Sequence, residues 1–215
     1  MRAPSFCGVV LSAGESSRMG RDKALLPWPP LPEGMTASAY AGTFLSGQIE
    51  LLQRYSDLVI VVAGNNIERV RPIAYSAAAS VVRNPRPELG QFSSLQCGLQ
   101  EVLNRGRDAA VVVLVDRPPA ADATLKKLRS AFSEAVGRGI WAIVPEFDGR
   151  HGHPIVVGRE MISAFLAALP TATAREIEHA NQERVEYVPV DDPLVVMNVD
   201  TPADYERLRA IEIKR

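Results

Sequence analysis

Residues 9–27, VVLSAGESSRMGRDKALLP, decide the fold of this chain. The apolar run that leads into them covers residues 6–11 and contains two adjacent β-branched valines, which is typical of a buried strand. The run stops at three small residues, Ser12, Ala13 and Gly14, and glycine allows the backbone to turn sharply. The sequence therefore predicts a first strand followed by a tight turn.

The turn after this strand has the composition of a phosphate-binding loop. Gly14 and Gly20 bracket a flexible segment, and Arg18 and Lys23 supply positive charge. Consecutive backbone N–H groups in such a turn form a concave anion site, which nearby cations reinforce. Open α/β sheets bind ligands at the carboxyl ends of their strands, so we predict a phosphate cradle there. The alternative is a basic surface loop that follows a core strand.

The stretch does not match the P-loop pattern G-x-x-x-x-G-K-[ST] or the dinucleotide pattern G-x-G-x-x-G. It resembles the opening signature of the nucleotidyltransferase superfamily, L-A-A-G-x-S-x-R-M-G-x-x-K-x-L-L-P, with a serine in place of the first alanine. The resemblance implies that the loop binds a nucleoside triphosphate and that its two cations stabilise the phosphates. The residues implied to bind the nucleotide are Leu11, Ser12, Ala13, Gly14, Ser16, Arg18 and Lys23.

Composition sets limits on the class of protein. The chain has 215 residues and a net charge of −1, which fits one domain over residues 1–215 and argues against a broad basic surface for nucleic acid. No apolar stretch is long enough to span a bilayer, and the first strand begins too early for a signal peptide. We expect a cytoplasmic protein in which Cys7 and Cys97 are reduced core thiols.

Strand-like and helix-like segments alternate along the first two thirds of the chain, which implies a mainly parallel sheet with helices on both faces. Residues 93–105 form one of the helical patterns, with Ser93 or Ser94 as a natural N-cap. The predicted strands are 57–63, 80–82 and 109–115, and the other predicted helices are 66–79 and 122–136.

The last third predicts an antiparallel excursion, because two apolar runs flank the turn signal Asp148-Gly149. Helices are expected near 159–168 and 173–182, a strand at 185–190, and a final helix that Thr201 caps with Pro202 in its first position. The fold class is a three-layer, Rossmann-like α/β fold, similar to nucleotide-diphospho-sugar transferases. Residues 28–42 resemble an insertion, for which a binding lid and a tolerated surface loop remain equal alternatives.

Two aspartates are candidates for a metal site. Asp116 follows the most hydrophobic run, and an acid at a strand end faces the ligand crevice. The segment LVDRPP around it resembles the family motif whose aspartate holds magnesium, although Arg117 is unusual there. Asp200, in VVMNVDTP, resembles the aspartate before Thr-Pro in molybdenum-cofactor nucleotidyltransferases. The resemblance implies Mg²⁺ on both; the alternative is that Asp116 only caps a turn.

We do not expect the neighbouring acids to bind a metal. Asp204 lies where a capping box places an acid, so we expect it to cap the final helix. Asp191 and Asp192 precede Pro193 in a polar turn, and we expect a solvated loop.

Residues 84–99, NPRPELGQFSSLQCGL, resemble the N-P-x-x-x-x-G-x-x-S-S-L-x-x-G-L segment of the same relatives. In the wider superfamily this segment surrounds the base of the nucleotide. The resemblance therefore implies that Asn84, Gly90, Ser93 and Ser94 bind the nucleotide. The alternative is an ordinary loop capped by serine.

Residues 147–154, FDGRHGHP, bring two histidines close together. A zinc site needs three or four ligands, and the other histidine, His179, has no cysteine nearby, so we do not predict zinc. The segment resembles D-G-R-x-G-H-P in the MocA-like branch, which transfers CMP to molybdopterin. That resemblance implies that His153 binds or deprotonates the acceptor phosphate; the alternative is an exposed hairpin histidine.

Together these segments resemble the MobA/MocA-like nucleotidyltransferase family, cytidylyltransferase branch. The resemblance implies a magnesium-dependent enzyme that moves an NMP unit, from CTP by preference, to a small phosphorylated acceptor such as molybdopterin. Arg18, Lys23, Asp116 and His153 would be catalytic, and a molybdoenzyme would receive the product. The alternatives are another small-acceptor nucleotidyltransferase, including one that uses GTP, a related sugar transferase, and a non-catalytic cofactor chaperone. Asp116 lacks the D-x-D spacing of the sugar transferase.

Overall fold

The computed structural model describes residues 4–30 and 42–211. One mixed sheet forms its centre, in the order β3-β2-β1-β4-β7-β5-β6, with β8 paired to β5. Strands β3, β2, β1 and β4 are parallel, and β7 runs antiparallel between β4 and β5. The strands are β1 (Phe6–Ser12), β2 (Leu58–Ala63), β3 (Ser80–Arg83), β4 (Ala109–Leu114), β5 (Ala142–Phe147), β6 (Arg150–His151), β7 (Ile155–Gly158) and β8 (Val185–Pro189).

Helices cover both faces of this sheet, because alternate residues of each strand point to opposite sides. In β1, Val10 packs into the core that contains α1 and α4, whereas Val9 and Leu11 pack into the core that contains α3 and α5. The helices are α1 (Phe44–Gln53), α2 (Ile67–Ser76), α3 (Gln91–Asn104), α4 (Asp122–Ala135), α5 (Arg159–Ala167), α6 (Ala174–Ala180) and α7 (Pro202–Arg209). The predicted three-layer fold and its antiparallel excursion are confirmed.

A third apolar cluster joins the glycine-rich loop to the end of the chain. It contains Met19 and Leu26 from the loop, Phe44 from α1, and Val199 and Tyr205 from the C-terminal segment. The Tyr205 hydroxyl also donates a hydrogen bond to the Pro27 carbonyl over 2.9 Å. Because of this cluster, residues near 200 lie beside residues near 20.

The predicted starts of two helices, α7 and α3, have different outcomes. The capping box of α7 is confirmed, since the Thr201 hydroxyl accepts from the Asp204 N–H and the Asp204 carboxylate accepts from the Thr201 N–H. The N-cap prediction for α3 is wrong. Gly90 occupies the N-cap, and Ser93 lies in the first turn, where its hydroxyl donates to the Gly90 carbonyl. The flexible glycine, rather than a serine side chain, sets this start.

The expectation of a solvated loop is wrong for Asp192, which is 3% exposed. Its carboxylate accepts hydrogen bonds from the Ala121 N–H, the Thr124 hydroxyl and the Leu194 N–H. It therefore ties the start of α4 to the 3-10 turn Pro193–Val196. Its neighbour Asp191 is exposed.

Most of the predicted insertion at 28–42 lies outside the described residues, namely 31–41. At the start of this segment, the Trp28 ring packs edge-on against Phe44 with 5.5 Å between centroids. Within residues 4–30 and 42–211, no helix is long and apolar enough to cross a membrane.

Candidate active site

A pocket of about 230 Å³ opens at the carboxyl ends of β1 and β4. These strands are parallel neighbours, with Leu11 beside Leu114, so the loops that follow them reach the same edge of the sheet. A Cβ built on Gly14 would meet no atom within 4 Å, which leaves the loop backbone open to a ligand. The pocket is lined by Leu11, Ala13, Gly14, Ser16, Lys23, Pro87, Gly90, Gln91, Ser94, Val115 and Asp116.

The cradle is held in shape by polar contacts behind it. Ser16 has a positive φ of 55°, and its hydroxyl accepts a hydrogen bond from the Lys23 N–H. Asp22 is buried and caps the next turn by accepting from the Ala24 N–H. The Asn66 amide donates both to Asp22 and to the Ser12 carbonyl, which joins the loop to the end of β2.

Sequence analysis did not single out Asp22 and Asn66. Both are buried polar residues, and Asp22 also forms an ion pair with Arg69 over 3.4 Å. In the sequence, only the position of Asp22 inside the predicted cradle indicated such a structural role. They hold Lys23 in place rather than touch the pocket themselves.

Lys23 connects the two predicted metal-binding aspartates. Its side chain is 9% exposed, and its Nζ donates to Asp200 Oδ1 over 2.5 Å and lies 3.7 Å from Asp116 Oδ2. The Arg18 guanidinium also contacts Asp200 Oδ1, at 3.1 Å. The two cations of the predicted cradle and the two predicted metal ligands therefore lie within one cluster.

The acids of this cluster suit a hard divalent cation. Asp116 Oδ1 is buried without a hydrogen-bond partner, so one carboxylate oxygen is unsatisfied. The described residues contain no group of three or more His, Cys, Asp or Glu side chains that could hold a metal. Magnesium does not require such a group, because it is commonly held by one or two carboxylates together with substrate phosphates.

The predicted base-binding residues divide into two sets. Ser94 and Gly90 line the pocket. Asn84 and Ser93 lie behind it: the Asn84 amide donates to both serine hydroxyls over 2.9 and 3.0 Å. Asn84 also accepts from the Arg86 N–H, so it organises the loop between β3 and α3. Ser12 lies outside the pocket lining, with its hydroxyl buried and without a partner.

Comparison with known proteins agrees with this geometry. Residues 8–186 match the family described as MobA-like NTP transferase domain. The chain belongs to this family.

Relatives of this MobA-like chain include proteins named for molybdenum cofactor chemistry. A probable molybdenum cofactor guanylyltransferase of Mycobacterium marinum is 28% identical over 203 residues, covering 94% of this chain and 92% of the relative. A molybdenum cofactor guanylyltransferase of Xanthomonas euvesicatoria is 39% identical over 127 residues. That match covers 57% of this chain and 53% of the relative, so it spans about half of that protein.

Solved structures show the same fold. The crystal structure of Rv0371c from Mycobacterium tuberculosis H37Rv superposes with a TM-score of 0.75 at 27% identity, covering 97% of this chain and 98% of that one. A Rv0371C complex with manganese from Mycobacterium tuberculosis H37Rv has a TM-score of 0.70 at 23% identity, covering 96% of this chain and all of that one.

The two histidines of residues 147–154 lie in different surroundings. His151 is exposed, its ring stacks on Tyr187 at 3.9 Å, and its Nε2 lies 3.3 Å from Glu146. His153 lies on the other side of Gly152, and its Nδ1 is buried without a partner. Burial, with a smaller contribution from the Arg117 charge, lowers the pKa of His153 to about 3. Its ring is therefore neutral near pH 7, and its predicted catalytic role stays a prediction.

A larger pocket of about 600 Å³ lies away from this chemistry, between α1 and the segment at 119–122. Four of its five charged groups are already partnered, and the fifth, Asp191, is an exposed surface acid. Arg54 pairs with Glu50 and with Asp122, each over 3.2 Å, and Asp192 is fully used in caps. The smaller pocket, with the unsatisfied carboxylate of Asp116 and the Lys23 ammonium group, is therefore the better candidate for catalysis.

Proposed function

We propose that this chain transfers a nucleotidyl unit from a nucleoside triphosphate to the phosphate of molybdopterin and releases pyrophosphate. The observation that carries the proposal is the cluster of Arg18, Lys23, Asp116 and Asp200 beside the cradle. The names of the relatives support molybdopterin as the acceptor.

In this reaction an oxygen of the acceptor phosphate attacks the α-phosphorus in line, and the bond to the leaving pyrophosphate breaks. A magnesium ion on Asp116 and Asp200 would neutralise the phosphates, and the structural neighbour that was solved in complex with manganese supports a divalent cation. Lys23 and Arg18 would exchange Asp200 for phosphate oxygens and stabilise the charge on pyrophosphate. The contribution of the protein is mainly positioning and electrostatics.

The donor base is the finer part of the proposal. We propose CTP, because residues 147–154 resemble the MocA-like branch, which transfers CMP. GTP is the second candidate, because the curated relatives are named guanylyltransferases. At 28% identity over the full length most residues differ, so a base preference does not carry over from those names alone.

Three further parts of the proposal follow from the sequence. The chain acts as one domain over residues 1–215. It works in the cytoplasm, and it delivers its product to a molybdoenzyme rather than to nucleic acid or a membrane.

The test is a panel of CTP, GTP, ATP and UTP with magnesium, with and without molybdopterin, read by pyrophosphate release. We expect release that requires both CTP and molybdopterin. Faster release with GTP would move the chain to the guanylyl branch. Release with a sugar phosphate instead of molybdopterin, or tight cofactor binding without release, would replace the proposal by one of its alternatives.

A further inference from the structure

Two arginines meet beside the acidic pair. Arg117 follows Asp116 directly, and its Nη1 donates to the Val195 carbonyl over 2.7 Å. Arg150, at the start of β6, donates from Nη2 to the Val196 carbonyl over 3.2 Å. The two guanidinium groups therefore bind the carbonyls of consecutive residues in one turn.

Neither guanidinium is neutralised in the part of the chain that the structure describes. The ion pairs there, at distances up to 4.0 Å, include neither Arg117 nor Arg150. The Arg117 Nε is buried and has no hydrogen-bond partner. A desolvated charge normally has a counter-charge, and a buried N–H normally has an acceptor. Arg117 has no ion-pair partner among the described residues and its Nε has no acceptor, and the exposed Arg150 adds a second charge without an ion-pair partner.

The Val195 carbonyl that Arg117 binds is held in place by tight packing. The Gly152 backbone lies so close to the Val195 carbonyl that a Cβ there would overlap the oxygen. The His153 N–H donates to the same carbonyl over 2.9 Å. The Asp116 carbonyl accepts from the Val199 N–H over 2.8 Å, which fixes the segment that carries both carbonyls against the acidic pair.

Arg117 is next in the chain to Asp116, and its guanidinium forms no ion pair with Asp116 or Asp200 at distances up to 4.0 Å. An anion bound to the arginines would sit next to the place where the nucleotide phosphates meet Asp116.

We propose that Arg117 and Arg150 form a binding site for a phosphomonoester dianion, and that this anion is the phosphate of the acceptor. The second half of this statement rests on the proposed function. Two planar guanidinium groups match the oxygens of one phosphate, and arginine favours such bidentate contacts. A site at this position would hold the attacking oxygen next to the α-phosphorus.

The kinetic test compares R117M and R150M with R71M, a control in which the lost arginine pairs with Glu68 on the surface of α2. We expect each site variant to raise KM for the acceptor about tenfold or more, with KM for the triphosphate unchanged. R117K keeps a charge and should recover part of the loss. Equal acceptor KM values in R117M, R150M and R71M would overturn the proposal.

The Arg117 side chain also supports the Val195 carbonyl, so its loss could act through structure. Thermal unfolding of each variant separates the two effects. A structural effect would lower the melting temperature and raise both KM values, which would overturn a binding role for Arg117. The exposed Arg150 provides a second variant with less structural cost.

A binding test does not depend on turnover. With the cradle filled by the α,β-methylene analogue of CTP or of GTP, whichever binds more tightly by calorimetry, inorganic phosphate is titrated into wild type, R117M and R71M. We expect binding in wild type and R71M and a loss of about tenfold or more in R117M. Equal affinity in all three would overturn the arginine site. An inactive wild type that binds phosphate in this way would overturn the proposed function while the site stands.

Discussion

At the scale of single residues, Lys23 is the centre of the site. Its ammonium group is nearly buried between Asp200 and Asp116, and it offsets charge that the two carboxylates would otherwise direct at each other. Arg18 adds a second cation from the exposed side. In the proposed reaction the two kinds of charge have different roles, since the cations would bind phosphates and the acids would bind a metal.

The first prediction concerns that ammonium group. Lys23→Met should weaken triphosphate binding about tenfold or more and slow transfer, because a charge-assisted phosphate contact is lost. Binding of the nucleoside without phosphates should not change. Calorimetric titration measures both, with K126M on the exposed side of α4 as the control. Unchanged triphosphate affinity in K23M would mean that the cradle is placed wrongly.

The second prediction concerns Asp116. Asp116→Asn keeps the shape of the side chain but removes the charge, and we expect transfer to fall by about a thousandfold or more, since the charge that would hold the metal is gone. Stability should remain near wild type, because Asp116 Oδ1 makes no hydrogen bond. Pyrophosphate release and thermal unfolding check the two parts. D191N, at an exposed acid, is the matched control; comparable turnover in both variants at saturating magnesium would exclude Asp116 as a ligand.

At the scale of elements, much of the architecture was predictable because the signals were local. Periodicity located every strand except the short β6 to within one or two residues, and Thr201, Pro202 and Asp204 indicated the last helix. The contacts of Asp192 could not be predicted in this way, because its partners Ala121 and Thr124 lie 71 and 68 residues away. The same holds for Asn66 and Asp22, and for the pairing of Arg117 with Arg150. Local sequence indicates that a loop is polar, whereas its long-range partners decide whether it is buried.

The third prediction follows from the role of Asp192 as a connector. Asp192→Ala should lower the free energy of unfolding by about 3 kcal/mol, because it removes three hydrogen bonds to a buried carboxylate and leaves their donors unsatisfied. Urea denaturation measures the change. D191A alters an exposed neighbour and should stay within about 0.5 kcal/mol of wild type. Similar losses in both variants would mean that the buried caps contribute little.

At the scale of the whole molecule, the sheet has two halves, one on each side of β4, and Asp116 lies at the boundary between them. Strands β3, β2 and β1 lie on one side of β4 and carry the loops of the nucleotide pocket. Strands β7, β5 and β6 lie on the other side and carry His153 and Arg150. Because β7 runs antiparallel, its amino-terminal end comes to the edge where the other strands end. The antiparallel excursion thus places a second set of side chains opposite the cradle.

Two desolvated titratable groups outside the acidic cluster make stability depend on pH in opposite directions. Burial lowers the pKa of His153 to about 3 from its ordinary value of 6.5. Between these two pH values the unfolded chain binds a proton at His153, whereas the folded protein does not. Stability therefore falls as the pH drops from about 6.5. Burial raises the pKa of Glu178 to about 7, so the folded protein binds a proton that the unfolded chain releases above about 4.5. Stability therefore falls as the pH rises from about 4.5 to 7.

The fourth prediction is that these two contributions largely cancel in wild type between about pH 4.5 and 6.5, and that single substitutions reveal them. In H153Q the free energy of unfolding should decrease as the pH rises through this window, because only the Glu178 contribution remains. In E178Q it should increase. Each slope should approach, as an upper limit, about 1.4 kcal/mol per pH unit. Urea denaturation at several pH values measures them, with H179Q, an exposed position on the same helix as Glu178, as the control. Parallel stability curves for wild type, H153Q and E178Q would show that neither side chain is as desolvated in solution as its surroundings indicate.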